Sequence, residues 1–227
     1  MSAKRNIVLA SGLVVVAAMA LVACSASPKS AALAARQQAM ELLGARLAKL
    51  RPECQVLVLS NPFTKKSGYF NEKSQYERAG LRGLRKGLGR RCPVQVVFPE
   101  IRPEYFAHPQ SVIIPPDSRT PLSFLMQPAS VDQLAAAHPK CGVIVSLIGL
   151  PAGVEGLKIW NEKDPRCFAL LLPDLRLLGP PAKAAEAFQR GKLLAAVVED
   201  LQSGGPLIVT RDNVVEILRR QPKALGY

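Results

Sequence analysis

The stretch from Cys54 to Phe63, CQVLVLSNPF, decides the fold. Its middle, Gln55–Ser60, is a continuous apolar run, as expected for a strand that is covered on both faces of a parallel sheet. An amphipathic segment follows at 73–89, and then a second apolar run at Val94–Phe98. A buried strand, a helix and a second buried strand, in this order, predict a right-handed βαβ unit.

The alternation of strand and helix continues along the chain. Further strands are expected at Gly142–Ile148, Phe168–Leu172, Lys192–Glu199 and Pro206–Thr210, and further helices at 31–50, 131–137, 182–190 and 213–220. Ser130 is expected to cap the helix at 131, and 192–199 is alternatively a continuation of the preceding helix. The proline-rich connection 99–129 is expected to be largely irregular. We therefore predict an α/β fold, with a single doubly wound, mostly parallel sheet of five to six strands and helices on both faces.

The first 23 residues have the three parts of an export signal. Lys4 and Arg5 precede an uncharged apolar run from Ile7 to Ala23. The run ends in Leu21-Val22-Ala23-Cys24, which resembles the lipobox of bacterial lipoproteins. The resemblance implies cleavage before Cys24, a diacylglyceryl thioether on its sulfur and usually an acyl chain such as palmitate on the new amino end.

This signal defines three segments and a compartment. Residues 1–23 are the expected signal peptide, 24–30 a lipidated tether and 31–227 the α/β domain, in which the helix 31–50 comes first. The protein is then expected in the cell envelope, facing the periplasm or the exterior, and Ser25 implies outer-membrane sorting by the enterobacterial rule. The alternative is an uncleaved membrane anchor, because about 17 apolar residues are at the lower limit of a transmembrane helix.

The chain is strongly basic. Its formal net charge is +13, and +11 remains once Lys4 and Arg5 are removed with the signal peptide. Such a charge would suggest nucleic acid for a cytoplasmic protein, but export argues against that partner. Anionic lipid head groups and cell-wall polymers are the acidic partners of an exported chain. The alternative is a charge that only maintains solubility.

Four cysteines follow Cys24, each at the start of a predicted strand: Cys54, Cys92, Cys141 and Cys167. An even number of cysteines in an oxidising compartment predicts disulfides. A zinc site is not expected, because no pair has C-x-x-C spacing. With the flavodoxin-type strand order 2-1-3-4, the pairs Cys54–Cys92 and Cys141–Cys167 join neighbouring strands and satisfy all four. We expect neither a metal nor a cofactor.

The turn after the first predicted strand carries a further resemblance. Ser60-Asn61-Pro62-Phe63, followed by a glycine-containing amphipathic helix and a second strand, resembles the N-terminal lobe of type I periplasmic sugar-binding proteins. In that family the asparagine and the aromatic residue at this turn help to hold the ligand, which implies the same role for Asn61 and Phe63. The chain departs from the family by a basic insert, Thr64–Lys73, and by leaving no room for the second lobe.

No catalytic motif is recognisable: there is no G-x-S-x-G elbow, no phosphate-binding loop and no dinucleotide fingerprint. Ligands of open parallel sheets lie beyond the carboxyl ends of the strands. Asp174 follows the fourth predicted strand, so it is a candidate ligand-binding or hydrolytic carboxylate. Alternatively, it caps its own turn. The glycines of 73–89 favour close helix packing over phosphate binding.

The densest positive charge lies on the predicted helix 73–89. Arg78, Arg82, Arg85 and Lys86 recur at helical spacing and share one face. This face is expected either to contact an anionic surface or only to be solvated.

These features favour a lipid-anchored cell-envelope protein with a binding or scaffolding role over an enzyme. One alternative is a reduced solute-binding lipoprotein that presents a small ligand to a membrane partner. Another is a lipid-anchored hydrolase.

Overall fold

The computed structural model describes residues 27–65 and 71–227. The strands in these ranges are β1 (Gln55–Leu59), β2 (Val94–Val97), β3 (Cys141–Ser146), β4 (Cys167–Leu171), β5 (Leu193–Glu199) and β6 (Pro206–Val209). The helices are α1 (Pro28–Leu50), α2 (Glu72–Leu88), α3 (Pro103–Ala107), α4 (Leu122–Leu125), α5 (Pro128–Ala137), α6 (Pro181–Gln189) and α7 (Val214–Arg220). None of these helices is long and apolar enough to cross a membrane. The signal peptide, Cys24 and Ser25 lie outside the described residues.

The strands form one sheet in the order β2-β1-β3-β4-β5-β6, so the predicted α/β fold is confirmed. β1 to β5 are parallel, and β6 is antiparallel to β5. The chain moves one way across the sheet from β1 to β2 and the opposite way from β3 to β5. Because parallel crossovers are right-handed, this reversal requires helices on both faces of the sheet. The strand order reverses between β1 and β3.

The antiparallel direction of β6 follows from a short connection. The backbone turns between Asp200 and Gly205, where the Asp200 N–H donates to the Gly205 carbonyl at 2.8 Å and Gly204 has a φ of +70°. Antiparallel strands can be joined by a tight turn, whereas a parallel strand needs a crossover of a dozen or more residues. The segment 192–199, for which a helix was the alternative, is strand β5.

Two helices start three residues before the position predicted from the sequence. α1 begins at Pro28 and not at 31, because the Ser27 hydroxyl accepts the Ser30 N–H at 3.2 Å and proline suits a first helical turn. α5 likewise begins at Pro128, so the prediction that Ser130 caps this helix is wrong. The Ser130 hydroxyl lies inside the first turn, where it donates to the Gln127 carbonyl at 2.8 Å and accepts the Glu100 N–H at 3.1 Å.

α1 and α2 pack with their backbones in contact. A Cβ atom on Gly83 would lie 2.0 Å from the Gln37 carbonyl oxygen, and one on Gly87 would lie 2.1 Å from the Glu41 carbonyl oxygen. Such distances exclude any side chain at either position. The α2 glycines therefore serve close helix packing, as the sequence predicted.

The proline-rich connection 99–129 leaves the sheet and returns to it, and we refer to it as the proline-rich excursion. Its ends are joined by an isolated bridge between Ile101 and Met126, and by the Gln127 N–H, which donates to the Glu100 carbonyl at 2.8 Å. The short helices α3 and α4 lie within it, so it is more ordered than its prolines suggested.

The two predicted disulfides are absent from the structure, which holds Cys54, Cys92, Cys141 and Cys167 as free thiols. The strand register nevertheless supports one of the pairs. Val56 lies opposite Val94, which places Cys54 beside Cys92, and their sulfurs are 3.9 Å apart. Cys167 instead lies opposite Val143, two residues beyond Cys141. This offset separates the Cα atoms by about 8 Å, beyond the ~6.8 Å limit of a disulfide, so the register does not support the predicted pairing of Cys141 with Cys167.

Candidate functional site

A cleft of about 280 Å³ opens where β1, β3 and β4 end. It lies at the carboxyl edge of the sheet, beside the reversal of strand order between β1 and β3. In open α/β sheets this is the place where ligands bind. The lining residues come from α1, α2, the strand ends and the proline-rich excursion: Arg36, Asn61, Lys73, Tyr76, Glu77, Arg119, Thr120, Pro121, Leu122, Leu147, Ile148, Leu171 and Leu172.

Glu77 holds the base of the cleft together. Its side chain is buried, and it reaches from α2 to the turn after β1. One carboxylate oxygen accepts the Ser60 hydroxyl at 2.6 Å and the Asn61 N–H at 3.2 Å, and the other accepts an Arg36 guanidinium N–H at 2.7 Å. A carboxylate with this many donors fixes the position of Asn61 and neutralises part of the Arg36 charge.

The structure separates the two residues that the sugar-binding resemblance singled out. Asn61 lines the cleft, and its side-chain oxygen accepts the Phe63 N–H at 3.0 Å. This bond leaves the Asn61 NH₂ group able to donate to a ligand. Phe63 is not among the lining residues. The residue is 40% exposed, and its ring packs edge-on against Tyr105, with the ring centroids 6.1 Å apart.

Thr120 lines the cleft, but its hydroxyl has no accessible surface there. Its side-chain oxygen is fully buried and has no hydrogen-bond partner. Its backbone is fixed, because the Thr120 carbonyl accepts the Ser123 N–H at 2.9 Å. An unsatisfied buried hydroxyl costs about 1–3 kcal/mol.

Gly149 allows the excursion to approach the end of β3 this closely. It has a φ of +87°, and a Cβ atom there would lie 2.7 Å from the Thr120 Cβ and 2.4 Å from the Ser123 hydroxyl. Only glycine combines this left-handed conformation with so close an approach. The position of Thr120 therefore depends on the turn after β3.

The end of β4 forms an apolar rim. Leu172 is 43% exposed and has a φ of +44°, in the left-handed region that a leucine rarely adopts. The Leu172 N–H donates to the Val197 carbonyl at 2.8 Å, which holds this conformation in place. Backbone strain of about 1–3 kcal/mol is characteristic of ligand sites.

Asp174, the candidate from the end of the fourth strand, does not line the cleft. Its carboxylate accepts the Arg176 guanidinium at 2.6 and 2.9 Å and, more weakly, the backbone N–H groups of Arg119 and Arg176. Burial alone would raise the pKa of Asp174, but the hydrogen bonds and charge of Arg176 hold it below its usual range. Asp174 caps its own turn by accepting the Arg176 N–H, which was the alternative that the sequence left open.

The basic face of α2 lies outside the cleft. Arg78, Arg82, Arg85 and Lys86 are all exposed. The Lys86 ammonium also pairs with Glu41 of α1 at 2.9 Å. In the described ranges, no group of three or more histidine, cysteine or acidic residues could hold a metal ion.

Sequence reasoning missed most of the cleft. Arg36 lies in the predicted helix 31–50, for which the sequence indicated no ligand contact, and Arg119 and Thr120 lie in the connection 99–129, which was expected to be largely irregular. A connection of this length is itself a signal, because long ordered loops are often functional.

No protein-family model matches the chain, and no curated protein matches it in sequence. Solved structures similar to it include a carbohydrate transporter from Acidothermus cellulolyticus 11B in complex with myo-inositol, with 14% identity, a TM-score of 0.48, and coverage of 84% of this chain and 62% of the other. A solute-binding protein from Burkholderia graminis C4D1M in complex with D-arabinose has 14% identity, a TM-score of 0.46, and coverage of 78% and 60%. A glucose-galactose binding protein from Geobacillus stearothermophilus has 12% identity, a TM-score of 0.47, and coverage of 78% and 61%.

The chain thus spans about three fifths of the length of these structures. At these identities and TM-scores, the likeness concerns the α/β fold alone.

Proposed function

We propose that this chain is an extracytoplasmic binding protein, anchored by lipid at Cys24, that holds a small solute in the cleft at the carboxyl edge of its sheet. The observation that carries the proposal is the position of the cleft, at the carboxyl ends of β1, β3 and β4 and beside the reversal of strand order. Ligands of open α/β sheets bind at this place.

The state of the nearby carboxylates supports binding over hydrolysis. Glu77 accepts three hydrogen bonds from Arg36, Ser60 and Asn61. Asp174 is ion-paired with Arg176 and lies outside the cleft. A general base must be free to take a proton from its substrate, and these two carboxylates are instead committed to holding loops in place.

The anchor and the basic face of α2 suggest how the protein is positioned. Lipid on Cys24 would hold it at a membrane, and the exposed arginines of α2 would favour anionic head groups or cell-wall polymers there. A membrane protein that receives the solute is the partner expected of such a protein.

The binding proposal is tested by thermal unfolding of the detergent-purified full chain with a panel of small solutes. The panel contains neutral D-glucose, D-arabinose and myo-inositol, the acid D-glucuronate, and the matched pair cyclohexanecarboxamide and cyclohexanecarboxylate. A solute at 100 times its Kd should stabilise the fold by about 2.7 kcal/mol. If no member of the panel binds by equilibrium dialysis, the binding proposal fails and a scaffolding role remains.

Asn61→Asp tests the site itself. The change keeps the oxygen that accepts the Phe63 N–H and removes the NH₂ donor in the cleft, so we expect the solute to be held less tightly. Asn71→Asp is the matched control, because the Asn71 side-chain oxygen likewise accepts a backbone N–H, that of Ser74, but Asn71 does not line the cleft. Equal solute affinity in Asn61→Asp and the wild type would place the binding site elsewhere.

A further inference from the structure

From the charges and walls of the cleft, we infer that its solute is a small organic anion with an apolar body. This inference rests on the proposed binding function and specifies the ligand class for that same site.

The cleft carries an excess of positive charge. Three cations line it, Arg36, Lys73 and Arg119, against a single carboxylate, Glu77. Neither Lys73 nor Arg119 has a carboxylate partner for its side chain among the described residues. The Arg119 guanidinium makes one long hydrogen bond, to the Ala224 carbonyl at 3.5 Å.

Glu77 does not offset this excess for a ligand. Its two oxygens are occupied by Arg36, Ser60 and the Asn61 N–H. One cation is therefore neutralised within the protein, and two remain for the solute. Lys73 also lies in the first turn of the 17-residue helix α2, where the helix dipole adds partial positive charge.

The walls of the cleft define the rest of the ligand. Pro121, Leu122, Leu147, Ile148 and Leu171 are apolar, and Leu172 extends from the rim. A polyhydroxylated solute would leave many hydroxyls unpaired against these side chains, whereas an aliphatic or aromatic ring buries apolar surface there. The Asn61 NH₂ group can supply a neutral hydrogen bond.

The volume limits the size of the anion. At about 280 Å³ the cleft is just below the range of drug-sized ligand pockets, ~300–1,000 Å³. A single ring with one acidic group fits this space.

The test compares two probes of equal size and shape that differ only in charge. Cyclohexanecarboxylate and cyclohexanecarboxamide are titrated into the detergent-purified full chain, and Kd is measured by calorimetry. We expect the carboxylate to bind at least tenfold more tightly. Raising the salt from 0.05 to 0.5 M should weaken only the carboxylate, because salt screens exposed charges.

Charge-removing variants locate the effect. Lys73→Gln and Arg119→Gln should each weaken carboxylate binding several-fold and leave carboxamide binding unchanged. Arg82→Gln removes an equal charge from an exposed position of α2 that does not line the cleft, and it should change neither.

The outcomes separate this inference from the binding proposal. Binding of the carboxamide or of the neutral sugars as tightly as the carboxylate overturns the anion inference and leaves the binding function standing. A preference for the carboxylate that survives both cleft variants also overturns it, because the selecting charge would then lie elsewhere. Absence of binding by every probe removes both proposals.

Discussion

The buried carboxylate of Asp174 stabilises the structure, although it lies at a strand end where a catalytic group could be placed. Arg176 pairs with it in a fork of two hydrogen bonds. The same guanidinium also pairs with Asp117 of the proline-rich excursion. Asp174 therefore ties the end of β4 to the segment that carries Thr120.

Asp174 should make the stability of the protein depend on acid pH. Arg176 outweighs the opposing effect of burial and lowers the pKa of Asp174 below its unfolded value of ~3.9. The stabilising contribution is thus present above about pH 4 and is lost as the pH falls through the folded-state pKa. We expect Asp174→Asn to lower the free energy of unfolding at pH 7 and to flatten its decline in acid, as measured by urea unfolding at pH 7, 4 and 2.5.

Asp212→Asn is the control for this experiment, because Asp212 is 66% exposed and its pair with Arg46 is long, at 3.5 Å. We expect it to change the free energy of unfolding by less than about 0.5 kcal/mol. A decline in acid that is equally steep for Asp174→Asn and the wild type would contradict the assignment.

Cys54 and Cys92 should form a disulfide in protein taken from the cell envelope, whereas Cys141 and Cys167 should remain thiols. The register brings the first two sulfurs to 3.9 Å and offsets the other two by two residues. Non-reducing peptide mapping checks this, and a Cys141–Cys167 peptide would refute the register argument. In the reduced protein, burial and the neighbouring Cys92 raise the pKa of Cys54 to about 12, so its alkylation at pH 8 should be slow.

At the scale of elements, the contact between α1 and α2 depends on glycine. Gly83→Ala would bring a methyl group to 2.0 Å from the Gln37 carbonyl, and the helices must separate to accept it. Overpacking of this kind costs about 1–3 kcal/mol, which exceeds the ~1 kcal/mol that alanine gains in helix propensity. We expect a lower urea midpoint. Gly142→Ala, in β3 with open space at its Cβ, is the control and should change the midpoint little.

The exposed face of α2 should attract anionic membranes. A soluble form starting at Ser25 is expected to bind phosphatidylglycerol vesicles at low salt and to dissociate by ~0.5 M, where the Debye length is only a few ångströms. Reversing Arg82 and Arg85 to Glu should abolish sedimentation with the vesicles. If the reversed protein sediments as well as the wild type, the face is only solvated.

For the whole molecule, the anchor is the decisive prediction. Cys24→Ser should release the protein from membranes or leave it as the longer precursor, because the thioether can no longer form. The native protein should partition into the detergent phase and lack residues 1–23, which mass spectrometry checks. Membrane-bound protein that retains Met1 would show an uncleaved anchor instead.

The sequence alone determined the layers of this protein. The predicted strands, such as Gln55–Ser60, and the predicted helix 73–89 have bounds in the structure that differ from the prediction by one or two residues. Their patterns are local, because burial on both faces of a sheet gives a continuous apolar run and burial of one face of a helix gives a helical period. The strand order 2-1-3-4 was also predictable, since right-handed crossovers leave few arrangements. The glycines of α2 were correctly read as packing positions.

The tertiary structure decided what local patterns do not encode. Helix starts at Pro28 and Pro128 depend on caps and loops around them, and the distance between Cys141 and Cys167 depends on a two-residue offset between neighbouring strands. The cleft joins Arg36, Asn61 and Thr120, which are far apart in the chain. No periodicity relates such residues. The connection 99–129 returns to the carboxyl edge of the sheet because its ends are hydrogen-bonded to each other and because Gly149 leaves room for it. These contacts exist only in the folded chain.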